Sequence, residues 1–459
     1  MRRILVIGLD AAVPSLVFEE FKDELPNITG IAEEGVYGRL RSCDPPITIP
    51  AWIVMVTGVN PGRLGLYGFR HRKDHSYTEI TLPNSLSIKE KRVWDYIGER
   101  GGKVCLVGVP PSYPPRPVNG WLISCLMTPD TKRQYTYPSS LKGEVEELVG
   151  EYIIDVPFRK EDRESALKHI YDMTEKRFKV VKYLLVDKPW SFFMLVEIGL
   201  DRVQHAFWKY FDKEHHLYKP GNKFENVLKE YYKYLDGQIG EIRSLLDEDT
   251  AVMIVSDHGA KRMKGAFCIN QWLIEQGYLK LRGEPKIVEE LEKADVDWSR
   301  TTAWAWGGYY ARVFLNVKGR EKNGAVEPGD YESIREQLKK EIKNIKGPNG
   351  EKWDTKVYKP DELYPVCNGD PPDLMVYFDD LYWRSAGTIG HENLYLPEND
   401  TGPDDAVHDY DGIFILHDPK SGVKGRVDVT IYDVAPTILK LMDLQVPRSM
   451  EGQAPEDTI

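Results

Sequence analysis

Six side chains suited to holding divalent ions recur at comparable places in this sequence. Asp10 closes the apolar run RRILVIGLD, and Asp257 and His258 close AVMIVS. Asp201 follows FFMLVEIGL at once, His205 lies four residues on, and His408 precedes the run DGIFILHDP in the segment AVHDYDG. Carboxylates and imidazoles are ligands for Zn²⁺ or, in oxygen-rich sets, Mn²⁺. Each residue alone has a plainer reading. An aspartate after a strand caps a helix or forms a turn, and an i,i+4 Asp/His pair arises by chance. The joint occurrence points to a metal centre, because carboxylates and three imidazoles gathered without a cation would repel or strand charge.

The elements that must carry these residues read as an alternation of apolar strands and helices. RRILVIGLD is a strand, AWIVMVTGV a helix, and KRVWDYIGERGGKVCLVGVP a helix, a glycine stop and a strand. Residues 162 to 187 form a long helix before the strand WSFFMLVEIG, and YYKYLDGQIGEIRSLL is a helix before TAVMIVSDHG. DGIFILHDP is a strand and YDVAPTILKLM the last helix. Continuous apolar strands alternating with helices predict an α/β fold with a mostly parallel central sheet covered on both faces. Such sheets place their chemistry just beyond the carboxyl ends of the strands, where five of the six candidates fall. One section breaks the rhythm. From 300 to 370, AWAWGGYYARVFLNV, the charged YESIREQLKKEIKNI and TKVYKP read as a small α+β insertion, the alternative being a part of the main sheet. The catalytic domain would then be 1–299 and 371–459.

At 459 residues the chain exceeds one ordinary core, so a large domain with an insertion, or two domains, is expected. Its net charge of -11 argues against general binding to nucleic-acid polymers or anionic membranes. No window approaches the roughly 20 apolar residues of a membrane span. The first apolar run stops at Asp10, too short for a signal peptide. Five scattered cysteines (43, 105, 125, 268 and 367) without a CxxC pair suggest reduced thiols and a cytoplasmic setting.

The stretch DPPITIPAW holds one hydroxyl, that of Thr48, between prolines. On its own this reads as a cap for a helix starting near Ala51. Taken with the other motifs, the sequence resembles the alkaline phosphatase superfamily, in the branch of type I phosphodiesterases and nucleotide pyrophosphatases. The segments that carry the resemblance are VIGLDAA, LPNITGIAEEGVYGRLRS, PPITIPAWIVMVTGVNPGRLGLYGF, VEIGLDRVQHAFW, VSDHGA and YDVAPTILKLM, in order over most of the chain. The resemblance implies an alkaline-phosphatase-like fold and a metal-dependent phosphoric ester hydrolase acting through a phosphothreonine at Thr48. It implies two divalent ions per chain, Zn²⁺ foremost and Mn²⁺ next. Asp201, His205 and His408 would hold one; Asp10, Asp257, His258 and Thr48 would hold the other. His391 and His417 compete with His408, which is preferred because VHDYDG matches the family's segment before a strand. The chemistry is coherent: an unassisted alcohol carries almost no alkoxide at neutral pH, and two ions about 4 Å apart can clamp phosphoryl transfer. Flanking prolines restrain the loop that presents the hydroxyl.

One departure concerns substrate. The family's asparagine, some twenty residues beyond the nucleophile, is absent from GLYGFRHR; Phe69 takes its place, beside Arg70, His71 and Arg72. An arginine supplies a stronger, bidentate contact to phosphate, so Arg70 is a candidate substrate contact. Lys264, in AKRMKG after SDHG, is another. The aromatics of HAFWKYF and AWAWGGYY, among them Trp208, Trp304 and Trp306, are pocket or packing residues. A small-molecule phosphate ester, such as a nucleotide, is the expected partner, and a homo-oligomer remains open. Two other readings stand beside the diesterase: a phosphomutase or phosphomonoesterase on the same fold, and a non-catalytic metal-stabilised binding protein. Threonine weighs against the mutases, which use serine, and against sulfatases, which need a modified Cys or Ser.

Overall fold

The computed structural model describes residues 2–456. Among them, a ten-stranded sheet forms the centre. Its principal strands are β1 (Ile4–Leu9), β2 (Val36–Arg41), β3 (Val104–Val107), β4 (Gly120–Ile123), β5 (Phe192–Glu197), β6 (Ala251–Val255) and β7 (Asp411–His417). They run in the order β2-β7-β6-β1-β5-β3-β4, with two-residue edge strands at either end. β1, β3, β4, β5 and β6 are mutually parallel, whereas β7 runs antiparallel between β6 and β2.

β1 is fully buried along its length, and its side chains alternate between two cores. Leu5, Ile7 and Leu9 face the cluster beneath helices α4 (Arg163–Asp187), α5 (Gly199–Phe211) and α6 (Val227–Ser244). Ile4 and Val6 face the cluster beneath α2 (Thr48–Thr57), α3 (Val93–Glu99) and the last helix, α8 (Ile431–Leu441). The remaining labelled helices are α1 (Pro26–Glu34) and α7 (Tyr331–Lys343). This is the expected α/β architecture, with helices on both faces of a mostly parallel sheet.

Every residue of α2 is buried, which is why TIPAWIVMVT is apolar all round. Pro50 is tolerated because it sits in the first turn, where its missing N–H has no intrahelical partner. Gly58 ends the helix in the left-handed conformation, at φ 66°.

A second unit carries its own core. The strands Ala303–Trp306, Ala311–Leu315, Leu374–Tyr377 and Lys356–Tyr358 form an antiparallel sheet in that order, and Leu338 and Ile342 of α7 are buried in the same cluster. The strand Leu374–Tyr377 lies beyond residue 370. A neighbouring three-stranded sheet, Trp383–Ala386, Gly265–Cys268 and Tyr395–Leu396, also feeds this core through Phe267, Trp383 and Tyr395. Arg72, buried, ties the segment after α2 to this unit by ion pairs to Glu321 (2.9 Å) and Asp370 (2.6 Å).

Candidate metal centre and its cavity

The register of the central strands brings three chain segments to one edge. In the parallel ladder Leu9 lies opposite Glu197 and Gly8 opposite Val255, so the residues that follow each strand emerge together. Asp10 follows β1, and Asp257 and His258 follow β6. Asp201 is the third residue of α5, where a carboxylate is favoured by the helix N-terminus. The turn between β5 and α5 is pinned by Glu197, which accepts from the Gly199 amide (2.7 Å) and pairs with buried Arg177 (2.9 Å).

His408 arrives by another route. It sits in a short strand, Ala406–Asp409, antiparallel to Gly259–Arg262, with His408 opposite Ala260. This hairpin-like pairing lays the His408 ring on that of His258, 3.8 Å between centroids. His391 is engaged by Thr388 and His417 by the carbonyl of Glu34, so neither competes for the position.

The six candidates form two groups, Asp201, His205 and His408, and Asp10, Asp257 and His258. Within each group one ligand atom per residue lies within 4.8 Å of the others. Asp201 Oδ1 is 3.2 Å from His205 Nε2 and 3.9 Å from His408 Nε2. His258 Nε2 is 3.2 Å from Asp257 Oδ2 and 3.6 Å from Asp10 Oδ1. All six are buried.

The donor set fits cations. Asp10 Oδ1, Asp201 Oδ1 and Asp257 Oδ2 are buried oxygens without a hydrogen-bond partner. Each carboxylate's other oxygen is occupied: Trp52 Nε1 donates to Asp10 (2.7 Å), Arg202 to Asp201 (2.6 Å) and the Ala11 amide to Asp257 (3.3 Å). The three imidazoles are held in one tautomer by acceptors at Nδ1. These are Asp404 for His205 (2.7 Å), the Gly259 carbonyl for His258 (2.9 Å) and the Pro46 carbonyl for His408 (2.8 Å). The Nε2 atoms are thus turned to the centre, the arrangement that outer partners impose on metal-binding histidines.

Electrostatics say the same. Burial pushes the Asp10 and Asp257 carboxyls well above the usual range, and neighbouring carboxylates add to it. Burial also pulls His258 down to about 4 and His408 well below its ordinary value. Burial opposes ionisation of Asp201 too, but His205, Arg202 and His408 outweigh it. Burial likewise opposes charge on His205, but Asp404, Tyr309 and Asp201 hold it well above its ordinary value, whereas the Asp10, Asp257 and His258 group resists its own charges and is stabilised by a cation.

Thr48 is the first residue of α2, and the capping position before it is Ile47, whose side chain makes no capping bond. Thr48 Oγ1 lies 3.4 Å from His258 Nε2. The chain reaches this position because Trp52, one turn on, is buried against β1. A Cβ at Gly8 would come within 2.4 Å of the indole, so glycine there permits the close approach that carries Trp52 Nε1 to Asp10. Removing so large a buried ring would cost about 3–5 kcal/mol.

A cavity of about 700 Å³ opens beside the centre, lined by Ile47, Phe69, Arg70, Phe158, Arg202 and Tyr309 among others. Tyr309 joins cavity to centre: its hydroxyl lies 3.2 Å from His205 Nε2 and its ring stacks on His408 at 3.8 Å. Arg70 faces this space, as the sequence suggests. Lys264 does not; its ammonium pairs with Asp379 (2.9 Å) and covers the ring of Tyr382, away from the lining. Trp208 bonds Asp212 and Trp304 is packed in the second unit, so of the three tryptophans only Trp306 reaches the cavity. His71 accepts from the Tyr67 amide, and burial draws it down to about 3, which leaves it neutral. Sequence reasoning missed Trp52, Asp404 and the role of Tyr309. Asp404 had the only signal, a carboxylate just ahead of His408.

The type I phosphodiesterase/nucleotide pyrophosphatase family matches residues 4–404. No curated protein sequence matches the chain. Among solved structures, human ectonucleotide pyrophosphatase/phosphodiesterase 5 superposes with a TM-score of 0.58 at 12% identity, covering 98% of this chain and 97% of that one. The murine protein, as an inactive threonine-to-alanine variant with AMP, gives 0.57 at 12% identity, covering 97% and 96%. Phosphonoacetate hydrolase from Sinorhizobium meliloti 1021, with phosphonoacetate, gives 0.62 at 14% identity, covering 96% and 95%. These likenesses agree with the alkaline-phosphatase-like fold, and the six candidate ligands fall into two clusters consistent with a metal-dependent family. The chain belongs to the type I phosphodiesterase/nucleotide pyrophosphatase family of the alkaline phosphatase superfamily, and so to the phosphoric ester hydrolases.

Proposed function

We propose that the protein is a phosphodiesterase or nucleotide pyrophosphatase that transfers the phosphoryl group to Thr48 and then to water, at a two-metal site. The observation that carries this reading is the set of three partnerless buried carboxylate oxygens facing three Nε2 atoms, with the Thr48 hydroxyl at its rim. Asp201, His205 and His408 would hold one ion; Asp10, Asp257 and His258, with Thr48, the other. Bound there, two divalent ions would supply Lewis acidity toward the phosphoryl oxygens and favour the ionised Thr48 hydroxyl.

The chain's own residues do the rest. α2 holds the Thr48 oxygen on a rigid, buried turn, so little orientational entropy remains to be lost on attack. Trp52, Asp404 and the Gly259 and Pro46 carbonyls fix the ligands in direction and tautomer. Arg70 contacts the substrate from the cavity wall. The second unit, residues 265 to 396, acts as a cap that shapes the choice of ester. The inactive threonine variant of the murine neighbour, with its bound AMP, supports both the nucleophile and a nucleotide-like substrate. No helix among the described residues is long and apolar enough to cross a membrane. The five cysteines are free, four of them buried, which supports the cytoplasmic setting.

Metal-loaded protein assayed on paired aryl phosphate mono- and diesters tests the reading. Preferential diester cleavage that is lost on chelation is expected; cleavage unaffected by chelation would refute it.

A further inference from the structure

The cavity beside the metal ligands carries two arginines that no carboxylate pairs with directly. Five arginines line it: 70, 159, 202, 312 and 384. Three are paired. Arg159 and Arg384 share Asp404, each at 2.9 Å, and Arg202 lies 2.7 Å from Asp155 and 2.6 Å from Asp201. Arg70 and Arg312 form no ion pair with any carboxylate among the described residues. Arg312 is only 6% exposed, donates to the carbonyl oxygen of Arg70, and is drawn down to about 10 by burial, against Tyr310 and reinforced by Arg70. Both guanidinium carbons lie 5.0 Å from the ring centre of Trp306. Three acids also line it: Glu290 pairs with Lys293 (2.9 Å) and feels Arg70 at longer range, Asp400 accepts from Thr388 (2.8 Å), and Glu292 is the third.

A structural arginine in this region looks different. Arg72, two residues from Arg70, is matched by Glu321 and Asp370. A buried cation left without a counter-charge is costly, and it is retained where a ligand completes the pair. Guanidinium suits that task because it is weakly hydrated and offers a planar pair of donors to phosphate or carboxylate.

We propose that Arg70 and Arg312, braced on Trp306, form a subsite for a second anionic group of the substrate. The preferred substrates are then small phosphoric esters or anhydrides bearing another phosphate or a carboxylate beyond the scissile phosphorus. This rests on reading the adjoining cluster as the hydrolytic centre.

Calorimetric titration of the metal-loaded protein separates the two. The probes are propylphosphonate, with one anionic group, and propane-1,3-diphosphonate and 3-phosphonopropionate, with two. The natural protein should bind at least one two-anion probe about tenfold or more tighter than propylphosphonate, as a charge-assisted contact warrants. In Arg70→Gln and Arg312→Gln that ratio should fall to within about threefold. Which two-anion probe loses more distinguishes a carboxylate from a phosphoryl group as the second anion. Arg70 is the less buried of the pair, so Arg70→Gln, checked for native circular dichroism, decides the matter if Arg312→Gln does not fold. A ratio unchanged in folded Arg70→Gln, or no preference in the natural protein, overturns the subsite and leaves the hydrolase standing. Failure of propylphosphonate to bind at all overturns the hydrolytic centre, and the subsite with it.

Discussion

Two adjoining walls, the metal-ligand cluster and the lining of the cavity beside it, are built on opposite electrostatic plans. The wall made by the carboxyl edge of the central sheet gathers carboxylates whose free oxygens have no partner, and it resists its own negative charge. The adjoining wall, the cavity lining, gathers five arginines, two of them in no ion pair among the described residues. One wall calls for cations and the other for anions, and a phosphoric ester with divalent ions meets both demands. The first wall is rigid because it is continuous with the sheet. The second is positioned by the cap's own core and by the buried Arg72 pairs.

Changes on the first wall should strike chemistry hardest. Thr48→Ala removes the attacking oxygen and should lower diester turnover by more than about 10³-fold with the fold and most metal retained. Thr48→Ser should keep substantial activity; equal loss in both variants would make the hydroxyl incidental. Asp201→Ala should leave one divalent ion per chain where the natural protein holds two, read by elemental analysis. An unchanged metal content would dissolve the first wall as described.

The Arg72 link sharpens the contrast. Arg72→Ala takes from Glu321 and Asp370 their shared buried partner, leaving Arg320 and His75 beside them, and should destabilise the protein by up to about 3–5 kcal/mol in denaturant unfolding. Metal content of the folded fraction should hold, since no ligand belongs to the cap; loss of metal would show that the two walls are one unit. Smaller effects should follow from Trp52→Phe and Asp404→Asn, which spare the ligands but free their orientation. A fall of about 10–100-fold in ion affinity is expected for each, measured by competition with a chelator. Unaltered affinity in both would mean that these contacts only pack.

The contrast also explains what could be read from the sequence. Strand ends are marked by where apolar runs stop, so Asp10, Asp201, Asp257 and His258 were visible, and the parallel sheet with them. His408 needed the family pattern, because it stands on a short strand set beside the sheet edge by pairing with Gly259–Arg262. The second wall was largely hidden. Arg312 sits in RVFLNV as one polar residue of an ordinary buried strand, and only the strand order shows that it meets Arg70. Tyr309 likewise comes to His205 through the placement of the cap, which no local periodicity encodes. Lys264 was a candidate because it follows SDHG, but nearby Asp379 takes its charge. The strand Leu374–Tyr377 was missed by the 300–370 span because a sheet's last strand can follow a long, irregular connection.

The most direct test of the account is the stereochemical course at phosphorus with a chiral phosphorothioate diester in the natural, metal-loaded protein. Attack by Thr48 followed by water is two in-line displacements, so the account predicts net retention of configuration. Net inversion would mean that water attacks the ester directly, and it would contradict the placement of Thr48 as the nucleophile.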